Sequence, residues 1–350
     1  MKVSIGNLKV VLANYTDIAS QHFSCARVMR IIDDNLTRRG ASIIGKIPVG
    51  GDWRNDPTSL AVLERADRIC VNGEGTLHHS RRKGAWLLEL GGKPSLARIP
   101  KVLINSLYQQ NPPEWDTMLQ DFDFVSVRDG QSAKAMTEVR GSLVDFVPDL
   151  SLCEVVPSTS LFTRKGIVIG DSVDGKISAR LLSFASQLNL KDWPINVVPL
   201  TARFSTVNTH KSYFTRLLRN ANVTLRQTAA MRGNPYLKFV ANEQEYIDII
   251  LNSRLSVTRR FHSVCMAIAT STLFIAIGSN YRNWLKFLKI ENLITDAGLN
   301  LERVVSISDL SSTFVNDRNW DFSPEEKVNI TTFLEKEGKK QRPCSITSVS

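Results

Sequence analysis

Short, unbroken apolar runs alternate along this chain with longer stretches in which apolar residues recur every three to four positions. "KVVLA" leads into "CARVMRIIDDNLTRRG", where Gly40 marks a helix stop. The same pairing continues through "ASIIGKI", "SLAVLERA", "DRICVNG", "GAWLLELGG", "PKVLINS", "WDTMLQDF", "DFVSV", "GQSAKAMTEVRG" and "VDFVP". Strands that read as continuous apolar runs, separated by helices, predict a parallel sheet covered on both faces. The fold class read from this pattern is α/β, doubly wound.

The rhythm breaks at "CEVVPSTSLFTRK", with Pro157 and a Ser/Thr cluster, and restarts with "GIVIGDSV", "ISARLLSFASQL" and "INVVPLT". It continues through "KSYFTRLLRN", "NEQEYIDIILNS", "RLSVTRRFHSVCMAIA" and "TLFIAIG". The reading is therefore a Rossmann-like domain over 1–150, a second over 151–338, and a basic tail over 339–350 expected to be disordered. Two such halves resemble the GT-B arrangement of many sugar transferases, in which Rossmann-like domains face across a cleft. The second half ends in "SPEEKVNITTFLEKEG", with Ser323 as N-cap, Pro324 at the first helical position and Glu326 completing a capping box. A length of 350 residues agrees with two domains.

Composition narrows the setting. The longest apolar stretch, "VCMAIATSTLFIAIG", is interrupted by Thr270, Ser271 and Thr272 and falls short of the ~20 residues a membrane helix needs. It reads as helix, turn and strand. The first residues show no apolar core followed by a cleavage site, so no signal peptide is expected. The 5 cysteines form no CxxC pair, which points to buried free thiols in a reducing compartment. A cytoplasmic protein fits, and peripheral contact with the inner face of an anionic membrane is compatible. The formal charge of +10 favours anionic partners, and the absence of an aromatic-studded basic motif argues against nucleic acid.

In open parallel sheets ligands sit outside the carboxyl ends of the strands. Four segments place polar residues there: "VNGEGTLHH", "VSVRDG", "VPDLS" and "SVTRRFHS". In the first, Gly73 and Gly75 permit a close backbone approach. The third glycine of a dinucleotide loop is missing, no GK[ST] follows, and adjacent His78 and His79 lack the spacing of a helical zinc pair. A substrate-facing turn remains, presenting Glu74, Thr76 and His78. In the fourth, Ser263 opens a helix beside Arg259, Arg260 and His262, a ready anion site. Arg128 and Asp149 supply a further cation and carboxylate, or brace their loops.

The order of these segments resembles that of the polysaccharide pyruvyl transferase family, through "ADRICVNGEGTLHH", "VSVRDGQSAKAM", "FVPDLSL" and "RFHSVCMAIA", over roughly residues 10 to 280. The resemblance implies transfer of a pyruvyl group from phosphoenolpyruvate to a sugar of a cell-surface polysaccharide or its lipid-linked precursor. Arg260 and His262 match the family's Arg-x-His motif, which implies that Arg260 binds the donor, with Arg128 as a second clamp, and that His262 is the general acid. Asp149 or Glu74 would then orient or deprotonate the acceptor hydroxyl. Neither metal nor cofactor is implied, since the donor is a substrate. The chain departs from the family in "LANYTDIASQHFS", where a Gly-Asn-x-Gly-Asp loop is frequent, and in Glu74, which stands where glycine is frequent.

Two other readings remain open at this point. A retaining glycosyltransferase using a CMP-linked keto sugar acid of the Kdo type would use Asp149 as nucleophile and Glu74 as acid/base. A non-catalytic α/β protein that binds polyanions would account for the basic tail.

Overall fold

The computed structural model describes residues 7–17, 22–154, 164–188, 190, 193–200, 231–278, 289–316 and 321–340. The "KSYFTRLLRN" helix, residues 155–163 of the expected domain junction and residues 341–350 of the tail lie outside them. The chain divides into two compact units, one made of Met1–Asp17, Val28–Leu150 and Lys336–Ser350, the other of Ile18–Arg27 and Ser151–Glu335.

The first unit holds a six-stranded, all-parallel sheet of β1 (Lys9–Tyr15), β2 (Ser42–Pro48), β3 (Arg68–Glu74), β4 (Lys101–Ser106), β5 (Phe124–Val127) and β6 (Asp145–Phe146), in the order β2-β1-β3-β4-β5-β6. Side chains alternate across it. Val11, Ala13, Ile69, Val71, Leu103 and Val125 join one core cluster, while Val10, Leu12, Cys70, Val102 and Ile104 join another with Val28, Met29, Ile32 and Leu36 of helix α1 (Phe23–Thr37). Both faces are therefore buried, which is why these strands read as unbroken apolar runs. The first cluster is completed by α2 (Pro57–Glu64), α3 (Arg82–Leu88), α4 (Pro113–Leu119) and α5 (Gly130–Arg140). Local chemistry sets the helix ends. Asp56 caps α2 through the Thr58 and Ser59 amides, Asp129 caps α5 through Ser132, and Gly40 and Gly141 follow α1 and α5 with φ of 90° and 64°.

The second unit has a five-stranded parallel sheet of β7 (Ile167–Ile169), β8 (Ile195–Val197), β9 (Leu255–Thr258), β10 (Leu273–Ile277) and β11 (Val304–Val305), in the order β11-β10-β9-β7-β8. Its helices are α6 (Gly175–Gln187), α7 (Glu243–Asn252), α8 (Phe261–Ala269), α9 (Lys289–Asp296), α10 (Leu310–Asn316) and α11 (Pro324–Lys340). The first turn of α1 belongs to this unit, because Phe23 stacks on Tyr246 at 5.9 Å between ring centres and shares a core with Val168, Val198 and Met266. "VCMAIATSTLFIAIG" is the expected helix, turn and strand. Among the described residues no helix is long and apolar enough to cross a membrane. The cysteines are less uniform than expected: Cys70 and Cys265 are buried, whereas Cys25 and Cys153 are half-buried near helix and loop ends.

The capping box of α11 is formed. The Glu326 amide donates to Ser323 Oγ and the Ser323 amide to Glu326 Oε2, each at 3.0 Å. α11 runs on to Lys340, so Lys339 and Lys340 are helical rather than part of a disordered tail. Glu326 also receives Nε and Nη2 of Arg303 and the Asn300 amide. Burial pushes its carboxyl upward, but the Arg303 and amide donors outweigh that and hold it at about 2. A depressed folded-state value means this stabilisation is complete above about pH 5 and is lost as the pH falls from about 4.5 toward 2. Glu326→Gln is expected to cost about 2–4 kcal/mol at pH 7 and much less near pH 3, measured by urea unfolding at the two pH values.

Candidate functional site

In the first unit the strand order reverses between β1 and β3, the position where such sheets bind ligands. The carboxyl ends of the central strands there share one backbone oddity: Asn14, Glu74 and Asn105 have φ of 61°, 40° and 54°. Non-glycine residues in this left-handed region are uncommon and gather at functional sites. A chain of buried asparagines holds the edge together. Asn14 Nδ2 donates to the Asn72 carbonyl at 2.7 Å and to Thr76 Oγ1 at 3.1 Å. Asn105 Nδ2 reaches Asn72 Oδ1 at 3.3 Å, and its own Oδ1 accepts from the Leu150 amide.

"VNGEGTLHH" finishes β3 at Glu74 and then turns at Gly75–Thr76, where the Thr76 amide donates to the Gly73 carbonyl at 3.0 Å. Glu74, buried at 7% exposure, ends the strand, and the chain then pairs again beyond β4, with the His79 amide on the Gln109 carbonyl at 2.9 Å and the Gln109 amide on the Leu77 carbonyl at 3.3 Å. Gly73 has a reason inside the sheet: a Cβ there would lie 2.5 Å from Ser106 Oγ on β4, so its place in a substrate-binding turn is not needed to account for it. Gly75 and Thr76 are half-buried at the turn. His78, expected to face substrate, is buried instead, with its Nδ1 2.7 Å from His79 Nδ1.

Arg128 and Asp149 come together with each other. Arg128 Nη1 donates to Asp149 Oδ2 at 2.8 Å, with side chains 2% and 0% exposed. A charge pair removed from water this fully holds β5 to the segment after β6, and breaking it is costly. The sequence offered these two residues as clamp and carboxylate or as braces, and the pair they form fits the bracing alternative.

In the second unit the strand order reverses between β7 and β9. Gly170 and Asp171 follow β7, and Arg259 and Arg260 follow β9. A Cβ on Gly170 would lie 2.5 Å from Thr258 Oγ1, so glycine lets the two strand ends close up. Arg260 Nε donates to Asp171 Oδ1 at 2.9 Å and Nη2 to Oδ2, a bidentate pair with both side chains 16% exposed. Asp171 Oδ1 also accepts from the Leu200 amide at 3.1 Å. The helix starts earlier than expected: Arg260 is the N-cap of α8, and Ser263 lies inside the first turn, where its hydroxyl meets Tyr246 Oη at 2.7 Å. Burial pushes the Tyr246 phenol well up, so it stays protonated in that contact. His262 is in the same turn, 8% exposed.

Asn14, Asn72, Asn105 and Asp171 were absent from the residues singled out in the sequence. Their signal is visible in retrospect, since "LAN", "CVN" and "LIN" each end an apolar strand in asparagine and "IVIGD" ends one in Gly-Asp.

A family model described as polysaccharide pyruvyl transferase matches residues 104–281, just over half of the chain. No curated protein matches. Among solved structures, an alpha,alpha-trehalose-phosphate synthase (UDP-forming) from Burkholderia vietnamiensis is similar over 95% of this chain and 96% of its own, with a TM-score of 0.51 at 11% identity. The corresponding synthase from Burkholderia multivorans covers 95% of each chain with a TM-score of 0.49 at 11% identity, and MurG from Acinetobacter baumannii covers 97% and 96% with 0.47 at 11%. At such identity the first of these speaks to fold alone, a GT-B-like α/β fold of two parallel sheets. The matched segment takes in the ends of β4, β5, β7 and β9, and with them Arg128, Asp149, Asp171, Arg260 and His262: the chain belongs to the polysaccharide pyruvyl transferase family.

Proposed function

We propose that this protein transfers a pyruvyl group from phosphoenolpyruvate to a pair of hydroxyls on a sugar of a cell-surface polysaccharide or its lipid-linked precursor. The observation that carries this reading is the head of α8, where a forked arginine and a histidine share one helical turn inside the family segment. Backbone amides and the helix dipole favour an anion there. Asp171 engages Nε and Nη2 of Arg260 and so aims the remaining Nη1, which meets no acceptor among the described residues. Because Asp171 already matches the charge of Arg260, Arg259 shares the donor's phosphate and carboxylate. His262 protonates the donor's C3, turning its methylene into a methyl group. Positive charge then develops at C2, where one sugar hydroxyl adds. The second hydroxyl replaces phosphate there and closes the ketal. Glu74 serves the acceptor hydroxyl as base. The chemistry as written calls on no metal and no further cofactor.

The Kdo-type alternative is disfavoured by one observation: Asp149, its nucleophile, is fully buried against Arg128. The protein is incubated with phosphoenolpyruvate or CMP-Kdo and a sugar-lipid acceptor, and products are read by mass spectrometry. A pyruvyl ketal from phosphoenolpyruvate is expected, and an octulosonyl product would reverse the choice.

Variants separate the roles. Arg260→Lys keeps a charge for Asp171 but loses the fork, so the donor KM should rise about tenfold or more with little change in Tm. His262→Gln should lower kcat by about 10²–10⁴-fold. Asp149→Asn should act on stability, lowering Tm by several degrees as the buried Arg128 loses its counter-charge. Steady-state kinetics and thermal melts on the three proteins check all of this.

A further inference from the structure

The excess positive charge of the chain is not spread evenly. Residues 81–98, "RRKGAWLLELGGKPSLAR", carry 5 cations and 1 carboxylate, +4 of the formal +10. They form α3, the turn after it and a short 3-10 turn over Pro94–Leu96, all in the first unit. Arg81, Arg82, Lys83 and Arg98 are exposed, and Lys93 is half-buried. None of these five meets a carboxylate among the described residues. The one carboxylate of the segment, Glu89, pairs instead with Arg54 at 2.9 Å.

The sequence of α3 fixes which of its sides faces out. Leu87 and Leu88 enter the apolar core. Gly84 lets the helix settle there, since a Cβ on it would lie 2.5 Å from the Trp115 ring and 2.9 Å from the Thr76 carbonyl oxygen. Arg82, Trp86 and Glu89, spaced by one helical turn each, share the opposite side. Trp86 is half-buried, and the guanidinium carbons of Arg54 and Arg82 lie 4.6 Å and 5.1 Å from its ring centre. Asp52 and Glu89 both engage Arg54, so Arg82 is the unmatched cation of that stack. Lys83 lies along Gly50, where a Cβ would come 2.4 Å from its Nζ. Glycine at position 50 thus makes room for the ammonium at the surface.

We propose that the head and outer side of α3, with Arg81, Arg82, Lys83 and Trp86, dock the first unit on the headgroup layer of an anionic bilayer. The charges are complementary, and each lysine or arginine held at such a surface strengthens binding roughly fivefold. Lys93 and Arg98 add to the field of the same segment. An indole beside guanidinium groups suits that layer, where its apolar body and N–H lie between acyl chains and water. Attachment is to the surface, since no helix among the described residues is long and apolar enough to cross. Nucleic acid fits less well: its bases seek an aromatic face, and the Trp86 ring is already engaged by two guanidiniums. Docking involves neither donor nor acceptor, so it stands apart from the reaction proposed above.

The experiment is co-flotation of the full chain with vesicles of phosphatidylcholine, alone or with about one-third phosphatidylglycerol. Binding to the anionic vesicles only is expected, with release as salt rises to about 0.5 M. A triple variant, Arg81→Gln, Arg82→Gln and Lys83→Gln, should bind roughly a hundredfold more weakly. A control that removes the same charge from exposed positions of the second unit, Lys176→Gln, Arg180→Gln and Lys327→Gln, should change binding by less than about fivefold. Equal weakening in both triples would assign the binding to net charge and overturn the proposal, as would a chain that does not float with anionic vesicles. Lysine acetylation of the unsubstituted protein, followed by mass spectrometry, tests the same point whether or not the variant folds. Anionic vesicles should slow the labelling of Lys83 and leave that of Lys176 unchanged, and a Lys83 rate that vesicles do not alter overturns the proposal. Duplex DNA at equal phosphate concentration should leave most of the protein on the vesicles. Full displacement by DNA would transfer this surface to nucleic acid and overturn the membrane assignment.

Discussion

A parallel strand covered on both faces has room for polar side chains only at its ends. In this chain that constraint is nearly complete: β3 and β4 are buried along their length and β1 from Val10 onward, and their apolar side chains divide between two clusters. Polar groups consequently collect beyond the last apolar residue of each strand. There they satisfy one another (the asparagine chain of the first unit) or remain pointed outward with part of their hydrogen-bonding capacity in hand (the fork of Arg260).

Two arginine–aspartate pairs show how the same chemistry serves different ends. Arg128 and Asp149 are sealed from water, and such a pair fixes the register of the elements that carry it more than it recognises anything. Arg260 and Asp171 are also paired, but each keeps 16% of its side chain exposed. The aspartate there orients a guanidinium that still has somewhere to go. Depth, rather than residue type or spacing, separates the two pairs.

Depth is also what the sequence conveys least well. The apolar runs specify the alternation of strands and helices because burial on both faces leaves a one-dimensional trace, and the α11 capping box is legible because its partners are three residues apart. Arg260 and His262 are legible for the same reason, being neighbours on one turn. The Arg128–Asp149 contact joins residues 21 apart, and the Arg260–Asp171 contact residues 89 apart. Nothing local in "SVRD" or "VPDLS" says which of its charges will be sealed. Likewise the φ of Glu74 is set by the need to leave β3 and rejoin the chain beyond β4, a demand that exists only once the sheet is assembled.

Left-handed backbone at a strand end is cheapest for glycine, which has no Cβ to crowd the following carbonyl, and next cheapest for asparagine. Asn14 and Asn105 take that second option, and Glu74 takes neither. Position 74 therefore records a conflict between conformational ease and side-chain identity. Glycine at position 74 would relax the backbone, and this chain keeps a carboxylate there instead.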